Sequence, residues 1–310
     1  MPRPVAVLFV HGIGVSTQDY AEPMIQRIRR RLPKAVRPHV VFGSAFWADI
    51  VRPHQRHFFQ KAQHAADLRD STYRRFALEG LGDAAAYQKT PKRIDAPYFK
   101  IQAKVRDALH ALDVATDPAR PLIVVGHSLG CHILSSFIWD VNSVKQYAAD
   151  DLAKQDDKTR DFYNMLTSGS PFRRLDTLAG IVTMGSNMPL FTFTFERGDV
   201  TPITKARPGK VPAFPGPGLS NATATKAHWI NFYSRNDLLA YPLKPLYDLG
   251  PDCKLLDDVP VRAEGFWKSQ LPSPLNAHAA HTGYERNRQV LRDTARLISS
   301  IAMAEDQKSA

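Results

Sequence analysis

A glycine–serine motif inside an apolar run is the feature that most constrains this chain. Residues 121–130 read PLIVVGHSLG, and Gly126 and Gly130 flank Ser128. Residues 122–125 are uninterruptedly apolar, which is typical of a strand buried on both faces. Apolar residues recur at helical spacing after the motif. The pattern predicts a strand that turns sharply into a helix and holds the serine hydroxyl out of the sheet, with glycines that leave room for the turn.

The alternative is an incidental serine in a glycine-rich turn. The buried strand before the motif and the amphipathic helix after it argue against that alternative. A serine hydroxyl is a weak nucleophile at neutral pH, so it needs a base, an acid that orients the base, and donors for the oxyanion. The motif therefore predicts further residues elsewhere in the chain.

The oxyanion donors are predicted after the first apolar strand. Residues 5–10 read VAVLFV and lead into a short His-Gly-Ile-Gly segment. Small residues there would let a substrate carbonyl approach the main chain, and we expect the donors to be the N–H groups of Ile13 and Leu129. A phosphate-binding turn is disfavoured because no Lys or Ser/Thr follows at the required spacing. The residues expected to support the donors are His11, Gly12, Gly14, Gly126 and Gly130.

In these two segments the chain resembles the α/β-hydrolase superfamily. Members of that superfamily pair such a loop with the N–H that follows the nucleophile. The resemblance implies that His11 shapes the loop and is not the base. It extends at motif level to four segments, which are residues 5–14, 121–131, 228–237 and 275–285.

The acid should follow the nucleophile, because the order in this fold is Ser, Asp or Glu, His. Residues 228–233 read as an apolar strand that runs into Ser-Arg-Asn-Asp. This places Asp237 at the carboxyl edge of the sheet, where the sites of parallel sheets lie. Asp237 is the predicted acid, with a turn or cap aspartate as the alternative. Four later aspartates look like turn or solvent-facing residues: Asp248, Asp252, Asp257 and Asp258.

Two histidines compete for the role of base. His278 and His281 lie between the last predicted strand and the last predicted helix, in a polar, proline-rich stretch that we expect to be a loop. The superfamily carries its base in that connection. We prefer His281, because it stands in Ala-His-Thr-Gly-Tyr directly before the helix, a segment similar to the His-x-x-Tyr of intracellular members. His278 is the alternative, and a surface histidine is the alternative to both.

Apolar strands that alternate with helical segments predict an α/β fold with a mostly parallel, doubly wound sheet. The predicted strands are 5–10, 39–46, 121–125, 180–184, 228–233 and 254–261, and the predicted core helices are about 19–32, 97–112, 131–143 and 283–302. We expect a single α/β-hydrolase domain over residues 1–310, with helical and loop insertions that form a cap at about 50–95, 144–178 and 185–227.

Two insertions have features of their own. Residues 50–95 carry aromatic side chains at mostly helical spacing, which predicts helices that either extend the core or form a pocket wall. Residues 188–220 contain a proline- and glycine-rich stretch, and residues 190–195 alternate like a strand or a pocket lip. A substrate lid and a dimerisation extension both fit this segment. No metal site is expected from three histidines without cysteine or carboxylate partners: His54, His57 and His64.

The net charge of +11 raises the question of an anionic partner. Basic residues cluster on the first predicted helix, but zinc-finger spacing, a basic–aromatic RNA-binding pattern and a low-complexity arm are all absent from the sequence. A solvated basic face is therefore favoured over contact with a membrane surface or anionic substrates, and no nucleic acid is expected. The sequence shows no signal peptide or membrane span, and its two cysteines, Cys131 and Cys253, are far apart, so we expect a cytoplasmic location.

These features predict a serine hydrolase that cleaves a carboxylic ester or thioester through an acyl-enzyme intermediate, with no cofactor. Ser128 would attack, His281 would take the proton, and Asp237 would orient the imidazole. The expected partner is a small or lipid-like ester. Amides, lactones and acyl transfer need the same groups and stay open, as does a homodimer. A non-catalytic binding protein with this fold and a basic membrane-surface adaptor are the alternatives.

Overall fold

The computed structural model describes residues 2–66, 68, 72–88, 95–113, 117–146, 154–193, 203, 212–247, 249, 253–264 and 273–304. Six strands of this part form one sheet in which every neighbouring pair is parallel. The strands are β1 (Val5–Val10), β2 (Val40–Ala45), β3 (Leu122–His127), β4 (Leu178–Met184), β5 (His228–Tyr233) and β6 (Leu256–Pro260). Their order is β2-β1-β3-β4-β5-β6. The predicted fold class, an α/β fold with a doubly wound parallel sheet, is confirmed.

Nine α-helices lie within the described residues. They are α1 (Glu22–Arg29), α2 (Ala48–Ala66), α3 (Thr72–Ala86), α4 (Pro97–Leu112), α5 (Leu129–Gln146), α6 (Asp157–Thr167), α7 (Asn221–Ala224), α8 (Ser273–Thr282) and α9 (Arg288–Ala302). Among these helices, α6 packs on α5, and α1 packs on α9. No described helix has the length and apolar character needed to span a membrane.

The sheet is covered on both faces, which explains the unbroken apolar strands. Alternate residues of β1 belong to opposite cores. Ala6, Leu8 and Val10 pack with residues of α4 and α5, whereas Val5, Val7 and Phe9 pack with residues of α1 and α9. Because side chains of a strand alternate between its faces, a strand between two helical layers needs apolar residues at every position.

The strand register brings the predicted site segments to one edge. Val10 pairs with Gly126, His127 pairs with Met184, and the carboxyl end of β4 pairs in turn with β5. In a parallel sheet all strands end on the same side. The segments that follow β1, β3, β4 and β5 therefore leave the sheet as neighbours.

Several predicted boundaries differ from the structure. The helix predicted at 19–32 is only Glu22–Arg29, and the helix after the glycine–serine motif begins earlier than expected, at Leu129. The last helix begins at Arg288, because the Asn287 side chain caps it by accepting hydrogen bonds from the N–H groups of the second and third helical residues. The last strand, β6, ends at Pro260 and lies at an edge of the sheet, where a proline is tolerated because it has no N–H to donate.

The insertions are partly described. Helices α2 and α3 occupy much of residues 50–95, and α6 lies in residues 144–178. Of residues 190–195, which alternate like a strand or a pocket lip, residues 190–191 belong to a 3₁₀ helix and residues 192–193 form a turn, so a strand is wrong over residues 190–193. Residues 194–202 and 204–211 of the lid lie outside the described residues, so the lid and the cap remain predictions.

The buried face of α9 supplies a test of the fold. Ile298 is fully buried between α9 and the sheet, whereas the Arg296 side chain on the same helix is 71% exposed. We expect Ile298→Ala to lower the free energy of unfolding by about 2–5 kcal/mol, because it removes buried methyl groups and leaves a cavity. Arg296→Ala should change it by less than about 0.5 kcal/mol. Urea unfolding of both variants measures the difference, and similar losses would show that this face of α9 is not buried.

Candidate active site

Ser128 occupies a one-residue turn between β3 and α5. Strand β3 ends at His127, α5 begins at Leu129, and Ser128 has a φ of 52°. Positive φ is uncommon for residues other than glycine and stores backbone strain. The Ser128 N–H donates to the carbonyl of Met184 at 2.9 Å, which fixes the turn to β4. The strand–turn–helix predicted from the motif is present.

Gly130 fits this turn because a side chain there would strike backbone. A Cβ at Gly130 would lie 2.3 Å from the carbonyl oxygen of Val10 and 2.7 Å from that of His11. Helix α5 therefore passes directly against the end of β1. A Cβ at Gly126 would lie 3.0 Å from backbone atoms of Cys131, a milder restriction.

The structure brings three predicted side chains into one hydrogen-bonded row. His281 Nε2 lies 2.8 Å from Ser128 Oγ, and His281 Nδ1 lies 3.0 Å from each carboxylate oxygen of Asp237. All three residues are at least 95% buried, with 1%, 3% and 5% of Ser128, His281 and Asp237 exposed. The imidazole bridges a hydroxyl and a carboxylate that stand 109 positions apart along the chain (237 − 128).

The segment that carries the two candidate histidines is a helix, which corrects the loop expected from its sequence. His281 lies in the last turn of α8, and His278 lies one turn earlier and is exposed. Pro274 occupies the second position of α8, where a proline is tolerated because the first N–H groups of a helix have no intrahelical partner. The proline that suggested a loop thus begins a helix.

Asp237 is held by more than the imidazole. One carboxylate oxygen accepts from the Leu239 N–H at 3.0 Å, and the other accepts from the Tyr284 hydroxyl at 2.9 Å. Burial alone would raise the pKa of Asp237, but the hydrogen bonds and charge of His281, with the other two donors, outweigh burial and lower it. Asp237 is therefore an anion with satisfied oxygens.

Tyr284 was not assigned a role from the sequence. It is fully buried, and its hydroxyl donates to Asp237 and accepts from the Ser234 N–H at 2.8 Å. Burial raises the pKa of Tyr284 far above its ordinary value, so the hydroxyl keeps its proton. The only sequence signal was its place in the His-x-x-Tyr segment. Tyr284 therefore links the backbone of Ser234, at the end of β5, to the carboxylate of Asp237 in the loop that follows.

The rival aspartates that the structure describes make other contacts. Asp258 accepts from the Leu243 and Lys244 N–H groups, each at 2.8 Å, and so stabilises a turn. Asp257 is exposed and lies 2.9 Å from the ring of His228. Asp248 and Asp252 lie outside the described residues.

His127, next to the serine, is a second residue that sequence reasoning missed. Its Nε2 lies 2.8 Å from the His281 carbonyl oxygen, so the neutral ring donates there. Burial, with the nearby His281 ring 5.2 Å away, lowers the pKa of His127 to about 4. His127 therefore stays neutral near pH 7 and ties the end of β3 to the backbone of α8. Its position beside Ser128 was the only signal in the sequence.

The segment predicted to supply an oxyanion donor lies against Ser128. A Cβ at Gly12 would be 2.6 Å from Ser128 Cβ and 3.2 Å from its Oγ, so only glycine fits. Ile13 follows directly. Leu129 is the first residue of α5, and the first N–H groups of a helix have no intrahelical partner. Ile13 and Leu129 are thus each one position from a residue that contacts or carries the hydroxyl, and their role as oxyanion donors stays a prediction.

His11 is built into the wall of this loop. Its Nδ1 lies 2.7 Å from the Gly12 carbonyl oxygen, its Nε2 accepts from the Trp47 N–H at 3.1 Å, and its ring stacks on Trp47 at 4.6 Å. Both ring nitrogens are engaged, and burial lowers the pKa of His11 to about 4. These contacts agree with a role in shaping the loop.

The helical insertion borders the same loop. A Cβ at Gly80 of α3 would lie 2.9 Å from Ile13 Cδ1, and Arg52 of α2 lies 3.9 Å from Glu79 of α3. Burial raises the pKa of Asp83 to about 6, although Gln55 donates to it. Helices α2 and α3 therefore bring charged side chains beside the predicted oxyanion loop.

Cys131, in the first turn of α5, is buried and not in a disulfide. Burial raises the pKa of its thiol to about 12, so the thiol is protonated near pH 7 and is inert as a nucleophile. Within the described residues, no three His, Cys, Asp or Glu side chains gather in a way that could hold a metal ion.

Comparison with known proteins gives distant likenesses only. No family model matches the sequence, and no curated protein matches it. A crystal structure of a Thermus thermophilus protein is 10% identical, with 98% of this chain and 91% of that chain covered and a TM-score of 0.37. A pyrethroid hydrolase from Sphingobium faniae is 11% identical, with 95% and 97% covered and a TM-score of 0.35. The structure of a pyrethroid hydrolase named PytH is 10% identical, with 97% and 99% covered and a TM-score of 0.33. Likenesses this distant carry no assignment of activity.

Neutral histidines around the site predict a dependence of stability on pH. Burial lowers the pKa of His11, His127 and His132 from 6.5 to about 4. Below pH 6.5 these histidines take up protons in the unfolded chain but not in the folded chain. Their contribution to the free energy of unfolding is therefore fully present above pH 6.5, and it is lost as the pH falls towards about 4. When the pH is lowered from about 7 to about 5, we expect the free energy of unfolding to decrease by about 2 kcal/mol for each of these histidines.

Urea unfolding at the two pH values measures this loss. His132 stacks on Phe191 at 4.1 Å, and His132→Phe keeps an aromatic ring there without a titrating group. The variant should lose less stability on acidification than the unmodified protein. An identical loss in both would contradict the assignment for His132.

Proposed function

We propose that this protein is a serine hydrolase that cleaves a carboxylic ester through an acyl-enzyme intermediate. The observation that carries the proposal is the row Ser128–His281–Asp237, with contacts of 2.8 and 3.0 Å, on a turn where the serine has a φ of 52°. A serine, an imidazole and a carboxylate in this order are the groups that activate a hydroxyl for acyl transfer.

In the first step His281 Nε2 takes the hydroxyl proton as Ser128 Oγ attacks the substrate carbonyl. The anionic Asp237 orients the ring through Nδ1 and stabilises the imidazolium that forms. The imidazolium then gives its proton to the leaving alkoxide, which departs as an alcohol. Water, activated by the same imidazole, attacks the acyl-enzyme and releases the acid.

The oxyanion that forms on the carbonyl needs donors placed before the reaction begins. The N–H groups of Ile13 and Leu129 lie on the two segments that flank the hydroxyl, and the absence of a side chain at Gly12 keeps the approach open. Loss of one such donor typically slows acyl transfer by about 10²–10³. An ester is the favoured substrate because an alkoxide leaves more readily than an amine.

Exposed apolar side chains support a substrate with an apolar group. Leu190 and Phe193 follow β4 and are 38% and 79% exposed, and Leu238 and Tyr241 follow Asp237 and are 69% and 37% exposed. The Tyr241 N–H donates to the Ser186 carbonyl at 3.1 Å, so the two connections touch. Exposed apolar side chains that gather into one patch are typical of a binding site. We propose that it receives the acyl or alcohol part of a lipid-like ester.

Covalent labelling tests the proposal directly. We expect a fluorophosphonate probe to modify Ser128, because only an activated hydroxyl displaces the fluoride and forms a phosphonate ester. Mass spectrometry of the labelled protein locates the adduct. Ser128→Ala should abolish labelling and lower hydrolysis of a p-nitrophenyl ester by at least about 10³-fold.

A folded protein that takes no label and cleaves no p-nitrophenyl ester or thioester of any chain length would contradict the proposal. That result would favour a binding protein that keeps the fold. Circular dichroism of both proteins serves as the control for folding. Hydrolysis that increases with acyl chain length would support the apolar substrate, and a preference for acetyl esters would contradict it.

Tyr284 gives a second test, because it acts through Asp237. We expect Tyr284→Phe to lower kcat by about tenfold, since loss of one hydrogen bond to a charged group weakens the orientation of the imidazole. KM should not change, because the buried tyrosine does not reach the substrate.

Tyr163→Phe on α6 is the matched control, since it removes a phenolic hydroxyl from a buried residue outside the site. The rate of fluorophosphonate labelling should decrease for Tyr284→Phe and not for Tyr163→Phe. A purely structural role would instead lower the unfolding free energy and leave both the labelling rate and kcat of the folded fraction unchanged.

A further inference from the structure

A cavity of about 1110 Å³ lies on the side of β5 and β6 where the strands end. Four chain segments form its walls: the loop after β5, the segment after β6, the end of α8 and the start of α9. Neither Ser128 nor the oxyanion loop lines it. The cavity is therefore separate from the proposed site of acyl transfer, and the function proposed above does not use it.

The cavity is strongly basic. Its walls include four arginines, Arg235, Arg262, Arg286 and Arg288, and one acid, Glu264. The Glu264 oxygens accept from the Ser234 hydroxyl at 3.0 Å and from the Asn236 side chain at 2.7 Å, so the carboxylate is bound to the wall. Among the wall residues that the structure describes, positive charges therefore outnumber negative charges by three.

Three of the four arginines have no carboxylate partner among the described residues. Arg286 attracts its neighbour Glu285. Arg235, Arg262 and Arg288 form no ion pair with a carboxylate in the described part of the chain. All three are exposed, so their guanidinium groups are available to a ligand.

The start of α9 adds to the positive field. This helix of 15 residues begins in the cavity wall, and its first turn contains no acid and begins with Arg288. The amino end of a helix carries a partial positive charge, which an acidic residue usually offsets. A cation at this position is unfavourable unless an anion lies nearby.

We propose that this cavity binds a small phosphate-bearing anion. Guanidinium groups match phosphate oxygens in pairs of parallel hydrogen bonds, and helix amino ends bind phosphate through the same positive field. Several arginines around one concave site favour a ligand with at least two negative charges. A volume of about 1110 Å³ admits a molecule larger than inorganic phosphate.

A ligand in the cavity would contact two segments that also carry the proposed acid and base. Asn236 precedes Asp237, and Ala279 and Thr282 lie on either side of His281 in the sequence. Binding itself does not depend on the proposed hydrolase activity. Ser128→Ala should therefore bind the anion as the unmodified protein does, which separates a failure of this proposal from a failure of the other.

Isothermal titration calorimetry of the full chain with pyrophosphate tests the proposal at constant ionic strength. We expect saturable binding of one equivalent. The double variant Arg262→Ala/Arg288→Ala should weaken it by at least about tenfold, because each lost guanidinium removes charged hydrogen bonds. The matched control is Arg30→Ala/Lys34→Ala, which also removes two exposed positive charges, but from the segment directly after α1, outside the cavity. The control should bind pyrophosphate with unchanged affinity.

Two results of the calorimetry would overturn the proposal: no binding of pyrophosphate at about millimolar concentration, and equal weakening of binding in both double variants. Equal weakening would mean that the net charge of +11 alone attracts anions. If pyrophosphate does not bind and a DNA duplex does, the basic surface serves nucleic acid. Citrate at matched charge provides a further arm, since tighter binding of citrate than of pyrophosphate would contradict the preference for phosphate.

Discussion

The one-residue turn at Ser128 is the constraint on which the rest of the structure depends. To turn from strand to helix within one residue, the chain accepts a positive φ and lays α5 against the carbonyl groups that end β1. Because Ser128 also lies against the segment after β1, there is no room for a side chain at Gly12. The strain is balanced by a sheet whose strands are apolar on both faces, and by a hydrogen bond from the turn to β4.

Near this turn, the two buried carboxylates of Asp237 and Glu264 are fixed by hydrogen bonds. Asp237 is held by Tyr284 and Leu239, and Tyr284 is held by the backbone at the end of β5. Glu264 holds two side chains of the same loop, Ser234 and Asn236. Buried polar groups stabilise a fold only when they are satisfied, so this set of contacts orients the carboxylate without leaving a buried charge unpaired.

Much of the fold and of the candidate site could be predicted from the sequence, because both depend on strands. All six strands were predicted, β1 and β3 from unbroken apolar runs and the others from segments that are less uniformly apolar, and Asp237 was found because a strand end leads into it. Helix α8 was missed because its proline and polar residues resemble a loop. Tyr284 and His127 were missed because their roles depend on contacts across the sheet, which no local pattern encodes. The basic cavity was missed for the same reason, since its arginines come from three separate segments.

The hydrogen bond of His127 has a consequence for how protons move. The rings of His127 and His281 lie with their centres 5.2 Å apart. The neutral His127 ring has one N–H, and this N–H donates to the backbone carbonyl of His281. Because His127 stays neutral, it does not compete for the hydroxyl proton of Ser128, and it does not repel His281 when His281 becomes a cation. In the proposed reaction the positive charge of the imidazolium therefore forms on His281 and not on His127. Every proton that moves between the serine, the water and the leaving group passes through Nε2 of His281.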